Sequence, residues 1–333
     1  MAHCCRNVTT TATRLIQAMK TKSSLPRFCA IALAVAASTS SQFAADVVND
    51  TWLDGTRTDP ASPVYSEYGY DSDGDLNTES AWLKGGAGTL TVVGAGGPLR
   101  GSGFGASSAS WYTYFTPAAT PVTLGSIGDY MKLTWSFTLS GVNAGNTSQG
   151  FNIAVAQTPG SGVRTTGDAS VPSAAYKGYA MFMNMAPTLG NANPFRLMEW
   201  NTSVASGALL GTSGNWTALA NGATTGNAGY ADGISYTYTM LLTRTGSGLD
   251  IVSTMTGGTL NGSGTATVSF SDATPSTFAY DTFDIRPTSE VLTASQFDTT
   301  LFKVETNAIP EPSTMLFSGL GALAFAVWRR VRR

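Results

Sequence analysis

Between residues 130 and 139 the chain reads YMKLTWSFTL, and apolar and polar side chains alternate without a break. Met131, Leu133, Trp135, Phe137 and Leu139 share one face, and Tyr130, Lys132, Thr134, Ser136 and Thr138 share the other. A period of two is the mark of a β-strand with one face in a core and one toward solvent. The same alternation runs through Phe151, Ile153 and Val155, and through Tyr179, Met181, Met183 and Met185. Further strands are predicted over 89–93, 195–200, 236–244, 249–255, 265–270, 278–285 and 301–305. Thr245-Gly246-Ser247-Gly248 separates two of these runs and predicts a hairpin. No helical pattern is longer than the C-terminal tail, so the chain is expected to be all-β, an antiparallel β-sandwich over 46–306. Residues 50–83, rich in turn formers, tyrosines and acids, read as irregular structure with short edge strands.

The two ends follow different patterns. Residues 28–37, FCAIALAVAA, form an apolar run preceded by Lys20, Lys22 and Arg27. This is a secretory signal peptide, assigned to 1–45 and implying passage through the Sec translocon. A start at Met19 would make it a compact basic leader, and cleavage after Ala37, Ser40 or Ala45 is equally compatible with the small residues there.

The tail, 307–333, has three parts: Pro310, Glu311 and Pro312; an uncharged apolar run over 315–328; and Arg329, Arg330, Arg332 and Arg333. Two prolines around one residue fix φ and remove backbone donors, which keeps the segment extended and accessible. As a helix the apolar run spans roughly 21 Å against the ~30 Å of a bilayer core, short for a permanent anchor. The arginines hold the terminus on the cytoplasmic side. This order of proline motif, hydrophobic helix and arginine cluster resembles the PEP-CTERM sorting signal of exported bacterial proteins. The resemblance implies an exosortase-type sorting protease as partner, transient insertion in the inner membrane, and delivery to the cell surface or extracellular matrix. A plain C-terminal anchor is the other reading. Trp52, Asp54, Gly55 and Arg57, with Thr78, Ser80, Ala81 and Trp82, also resemble the opening of exported proteins that carry this tail.

Removal of the leader changes the available chemistry, because Cys4, Cys5, Cys29 and the single histidine, His3, all lie in it. The remaining chain has no thiol nucleophile, no imidazole base, no His/Cys metal site and no disulfide, so core burial alone must hold it together. Between 46 and 306 ten basic residues face twenty acids, although the whole chain has a formal net charge of only −2. Such a surface repels phosphate backbones, which excludes nucleic acid and leaves divalent cations or neutral sugars as ligands.

The last third, with its hairpin YTYTMLLTRTGSGLDIVSTM, then FAYDTFDIRP and a closing FKVET, resembles the concanavalin A-like jelly roll of lectins and glucanases. That resemblance implies two packed sheets, a final strand returning to pair near the first, and a concave sheet face as sugar site. The glucanase pattern Glu-x-Asp-x-x-Glu is absent: Glu199 has no acid two or three residues after it, and Asp281 and Asp284, three apart, are expected on opposite faces of a strand.

Asp71, Asp73, Asp75 and Asn77 alternate around Gly74 and place hard oxygen ligands as calcium loops do; the alternative is a solvated acidic turn. It is not an EF-hand, since Leu76 and Trp82 stand where that loop needs glycine and glutamate. Trp82, Trp111, Tyr112 and Trp200 are candidates for stacking on sugar rings, with burial in the core as the alternative. Trp111, Tyr112 and Tyr114 cannot share one face. The expected function is therefore a non-catalytic structural or adhesive module, possible contact being with exopolysaccharide and the possible cofactor being Ca2+. A carbohydrate-active enzyme of jelly-roll fold is the alternative.

Overall fold

The computed structural model describes residues 44–160, 163–201, 208–211, 213–288 and 291–308. The leader up to residue 43 and the sorting motif, apolar run and arginines of the tail lie outside the described residues. Among the described residues no helix is long and apolar enough to cross a membrane. In chain order the strands are β1 (Ala45–Asp50), β2 (Trp82–Gly86), β3 (Thr89–Val92), β4 (Leu99–Ser102), β5 (Ala109–Tyr114) and β6 (Val122–Thr123). Then come β7 (Tyr130–Ser140), β8 (Phe151–Gln157), β9 (Lys177–Met183), β10 (Phe195–Trp200), β11 (Trp216–Asn221) and β12 (Ser235–Arg244). The last are β13 (Leu249–Thr256), β14 (Thr265–Asp272), β15 (Ala279–Tyr280), β16 (Thr282–Arg286) and β17 (Gln296–Thr306).

Two antiparallel sheets form a sandwich. One runs β14-β13-β12-β7-β17-β4-β3, with β1 also on β17; the other runs β11-β10-β9-β8-β16-β5-β2; β15 and β6 make a separate two-stranded pair. The last strand does return to the first, with Ala45 opposite Thr306 and Asp50 opposite Phe302. The expected hairpin is present, Arg244 lying opposite Leu249 and the Thr245 amide donating to the Gly248 carbonyl.

On β7 the five apolar residues 131, 133, 135, 137 and 139 are fully buried. Their alternating neighbours are half-buried and not exposed, because β12 and β17 flank β7 on both sides and their side chains meet across the strands. Ser136 and Thr237 hydroxyls lie 2.9 Å apart, and Lys132 pairs with Glu305 at 3.4 Å.

The second sheet is buried on both faces. Phe151, Ile153 and Val155 of β8, with Tyr179, Met181 and Met183 of β9, face the inter-sheet core. Ala154, Ala156, Ala180 and Phe182 face a second apolar cluster that includes Tyr65, Val171, Tyr176, Leu209 and Leu210. Alternation here is between two apolar faces, which is why these strands read as nearly continuous hydrophobic runs.

The predicted strand over 278–285 is broken in two at Asp281, whose amide donates to the Ala156 carbonyl while its carboxylate accepts from Thr158. Strands β1, β2, β4, β5, β6 and β11 were not expected. Several are short or interrupted by glycine, and one glycine has a clear packing cause: a Cβ on Gly101 would stand 2.0 Å from the Trp111 ring. Only glycine lets that indole lie against β4.

Trp135 stacks on Phe137 with ring centroids 4.0 Å apart and donates its indole N–H to Thr299 Oγ1 at 3.1 Å. Replacement of Trp135 by alanine removes this ring from a fully buried position and is expected to cost about 3–5 kcal/mol. Chemical denaturation checks it. A loss under about 1 kcal/mol would mean that this row does not organise the core.

Candidate functional site

Chemistry gathers in two places: the acidic segment between β1 and β2, and a pocket on the outer face of the second sheet. From Asp46 to Glu79 there are nine acids and one base, Arg57. That guanidinium is committed elsewhere, to Asp168 at 3.0 and 2.8 Å and to the Trp82 carbonyl at 2.6 Å. Trp52, Tyr65, Tyr68 and Leu76 all hold positive φ here, a conformation uncommon for residues with a side chain and a sign of a closely determined backbone.

The structure does not bring Asp71, Asp73, Asp75 and Asn77 to one point. Asp71 and Asp73 gather with Glu67, carboxylate oxygens within 4.8 Å of one another. That trio is served by backbone donors. Asp71 accepts from the Gly74 and Leu76 amides at 2.6 and 3.0 Å, and Glu67 accepts from the Ser72 and Glu79 amides at 2.6 and 2.9 Å. Asp75 accepts from the Asn77 amide at 2.7 Å, while its other carboxylate oxygen, Oδ2, is buried without a partner. Asn77 itself is buried, its side-chain amide 2.9 Å from the Thr51 hydroxyl. The alternation that suggested four convergent ligands is broken because Leu76 turns through positive φ and stays exposed while Asn77 enters the core.

A second trio was not singled out from the sequence. Asp54, Asp59 and Glu79 also bring carboxylate oxygens within 4.8 Å of one another. Glu79 lies between two isolated bridges, Thr78 to Asn49 and Ser80 to Ser66, which pin it into the fold. Burial pushes its carboxyl up to about 9, helped by repulsion from Asp50, Asp54, Asp75 and Asp59. Asp50, also buried, is pushed up to about 8 by burial, partly offset by the Trp52 amide. The signal that could have pointed here is the excess of acid over base along the whole segment, not the spacing of any one motif.

The pocket, about 180 Å³, lies where Gly85, Ser108, Ser110, Leu210, Asp284 and Arg286 meet. Asp284 is 1% exposed and accepts from Ser110 at 2.8 Å; Arg286 donates to the Leu210 carbonyl at 2.6 Å and to Ser108 at 2.7 Å. The volume is below that of usual ligand pockets, and among the described residues lining it there is no second carboxylate to pair with Asp284 for glycoside hydrolysis. Asp281 lies on the same side of the sheet as Asp284, not opposite: it pairs at 3.2 Å with Arg164, which lies over the Tyr114 ring of the second cluster. The break in the strand at Asp281 removes the alternation that would have separated them.

The four rings proposed for sugar stacking are all buried, at 2% exposure or less. Trp82 and Trp111 point into the inter-sheet core, where Trp82 meets Phe302 at 5.1 Å and Trp111 meets Phe297 at 5.6 Å between centroids. Tyr112 and Trp200 lie in the second cluster, Trp200 edge-on to Trp216 at 5.1 Å and the Tyr112 hydroxyl donating to the Ala169 carbonyl at 2.8 Å. Stacking on a sugar needs an open ring face, and these faces are covered by protein. Trp111 and Tyr112 do lie on opposite faces of β5, but both faces are closed. The outer face of the second sheet is filled here by the second cluster.

Residues 308–333 match the PEP-CTERM protein-sorting motif. A signal of this kind marks an exported protein sorted at the cell envelope and implies processing by an exosortase. In structure the chain is similar to the VIP36 exoplasmic/lumenal domain in its Ca2+- and mannose-bound form, at 15% identity and TM-score 0.41, over 68% of this chain and 83% of that one. It is also similar to peanut lectin, at 9% identity and TM-score 0.39 over 67% and 91% of the two chains. Arcelin-5, a lectin-like defence protein from Phaseolus vulgaris, gives 9% identity and TM-score 0.37 over 68% and 92%. No curated protein matches by sequence.

Asp284 supplies a test of the pocket's electrostatics. Burial raises its carboxyl to about 7, against the Ser110 hydrogen bond and Arg286, which lower it. A folded value above the unfolded one means that the fold favours the protonated acid. Its contribution is whole below about pH 4 and is lost as pH rises through 7. Asp284→Asn keeps an acceptor for Ser110 and cannot ionise. The variant is expected to gain on the wild type as pH rises from 4 to 8, by at most about 4 kcal/mol. Denaturation midpoints across that range check it, and parallel profiles would show that Asp284 ionises freely.

Proposed function

We propose that this chain is an exported envelope protein, cut near Pro310–Pro312 after sorting, whose sandwich over 46–306 acts at the cell surface or in the matrix as a non-catalytic structural or adhesive module in contact with exopolysaccharide. The observation that carries the reading is the sorting-motif match over 308–333. Its position supports it further. Asn307, just after β17, accepts from the Tyr130 amide at 2.6 Å and donates to the Gly128 carbonyl at 3.1 Å, and the Ala308 amide donates to Thr306 Oγ1 at 2.9 Å. Among the described residues these hydrogen bonds hold the chain to the sandwich up to residue 308, where the signal begins, and a cut at the prolines leaves them intact. With both faces of the second sheet closed, exposed loop residues are the favoured place for glycan contact, and Tyr70 at 72% exposure offers an aromatic face there.

In a host with the sorting protease, mass spectrometry of the surface form is expected to find a C-terminus near 310–312. Intact Arg333 on surface protein would overturn the processing. On a glycan array the exported protein is expected to be retained by neutral polysaccharides, and Tyr70→Ala to weaken retention roughly 2- to 10-fold. Absence of retention on every glycan would leave a structural role without glycan contact.

A further inference from the structure

Asp54 and Asp59 come from the turns that follow β1, and Glu79 comes from the return of the chain toward β2. One oxygen from each lies within 4.8 Å of the other two. Calcium holds its oxygens at about 2.3–2.6 Å, so oxygens across its diameter stand up to about 5 Å apart, whereas magnesium at about 2.0–2.1 Å spans only about 4 Å. Three oxygens within 4.8 Å of one another are within reach of one ion, and calcium's longer bonds span the whole of that range.

A separate observation points to a ligand at this place. Glu79 is 3% exposed, and its Oε2 is buried with no hydrogen-bond partner. A carboxylate withdrawn from water without a donor or a counter-charge is strongly disfavoured. None of the ion pairs among the described residues involves Asp50, Asp54, Asp59, Asp75 or Glu79. Asp50 is 2% exposed, and the unpartnered Asp75 Oδ2 adds another buried carboxylate oxygen in the same segment. In the Glu67, Asp71 and Asp73 trio every carboxylate accepts from a backbone amide, whereas in this one Asp54 accepts from the Thr56 amide and hydroxyl but the buried Glu79 Oε2 has no donor.

We propose that Asp54, Asp59 and Glu79 hold a calcium ion, with Asp50 and Asp75 supplying the negative surroundings. The ion ties the turns after β1 to the return before β2 and so closes the irregular segment against the sandwich. This site is independent of the sorting and glycan readings.

The test is calorimetric titration of the exported protein with calcium chloride and, separately, magnesium chloride, with thermal melts in EDTA and in each salt. One calcium per chain is expected, with a melting temperature raised by calcium and much less by magnesium. Glu79→Gln keeps the shape and removes a charged ligand; it is expected to lose the calcium heat and the thermal shift while melting no lower than wild type in EDTA. Asp59→Asn, at a half-buried position, is expected to lose them as well and serves if Glu79→Gln does not fold. Asp73→Ala is expected to keep them. No calcium uptake, equal responses to the two salts, or loss of binding in Asp73→Ala with retention in Asp59→Asn would overturn the site.

Discussion

Trp135 and Phe137 stack on the central strand of one sheet, and the rings around them come from both sheets: Phe151 from β8, Phe283 from β16, Tyr236 from β12 and Phe297 from β17. Their centroids lie 5.8 to 6.3 Å from one ring of the pair or the other, close enough for tilted and edge-on contact. In a chain whose cysteines all lie in its first 29 residues, this aromatic knot replaces the covalent staples common in exported domains. It also joins distant parts of the chain, since β7 pairs with β17, and β17 in turn holds β1 and β4. Most of one sheet is assembled on the strand that the knot positions.

Filling of the outer face of the second sheet follows from the same demand for burial. Tyr112, Tyr114, Phe182, Met198 and Trp200 would be exposed on a bare sheet, and the chain around 163–176, 208–211 and 213–216 covers them. Within that cover a buried ion pair, Arg164 with Asp281, is satisfied by a carbonyl at 2.6 Å and by the Tyr114 ring face. With this face closed, the loops and the outward-facing residues of the first sheet remain for recognition. The acidic segment is the most distinctive of these, carrying nine acids, four strained backbone positions and a buried carboxylate without a partner. Its charge opposes its own compactness, so an occupied cation site would link the segment's order to the ion content of the compartment the protein reaches.

From the sequence alone, the sandwich, its central strand, the hairpin at 245–248 and the sorting signal were legible, because each rests on local information: a period of two, a glycine-bearing turn, an ordered tail. The strands with glycine or without clean alternation, such as β2 and β4, were not legible, since their pairing depends on neighbours far away in the chain. Burial was decided only in three dimensions. Trp82, Trp111, Tyr112 and Trp200 have the same local appearance whether a sheet face is open or covered, and only the packing shows that theirs are covered, the first two by the opposite sheet and the last two by the second cluster. Which carboxylates come together was decided there too. DSDGDLN carries alternating oxygens, but a positive φ at Leu76 and the inward turn of Asn77 disperse them. The chain's return beside β1 instead brings Glu79 to Asp54 and Asp59 across 20 to 25 residues, a proximity that no spacing along the sequence encodes.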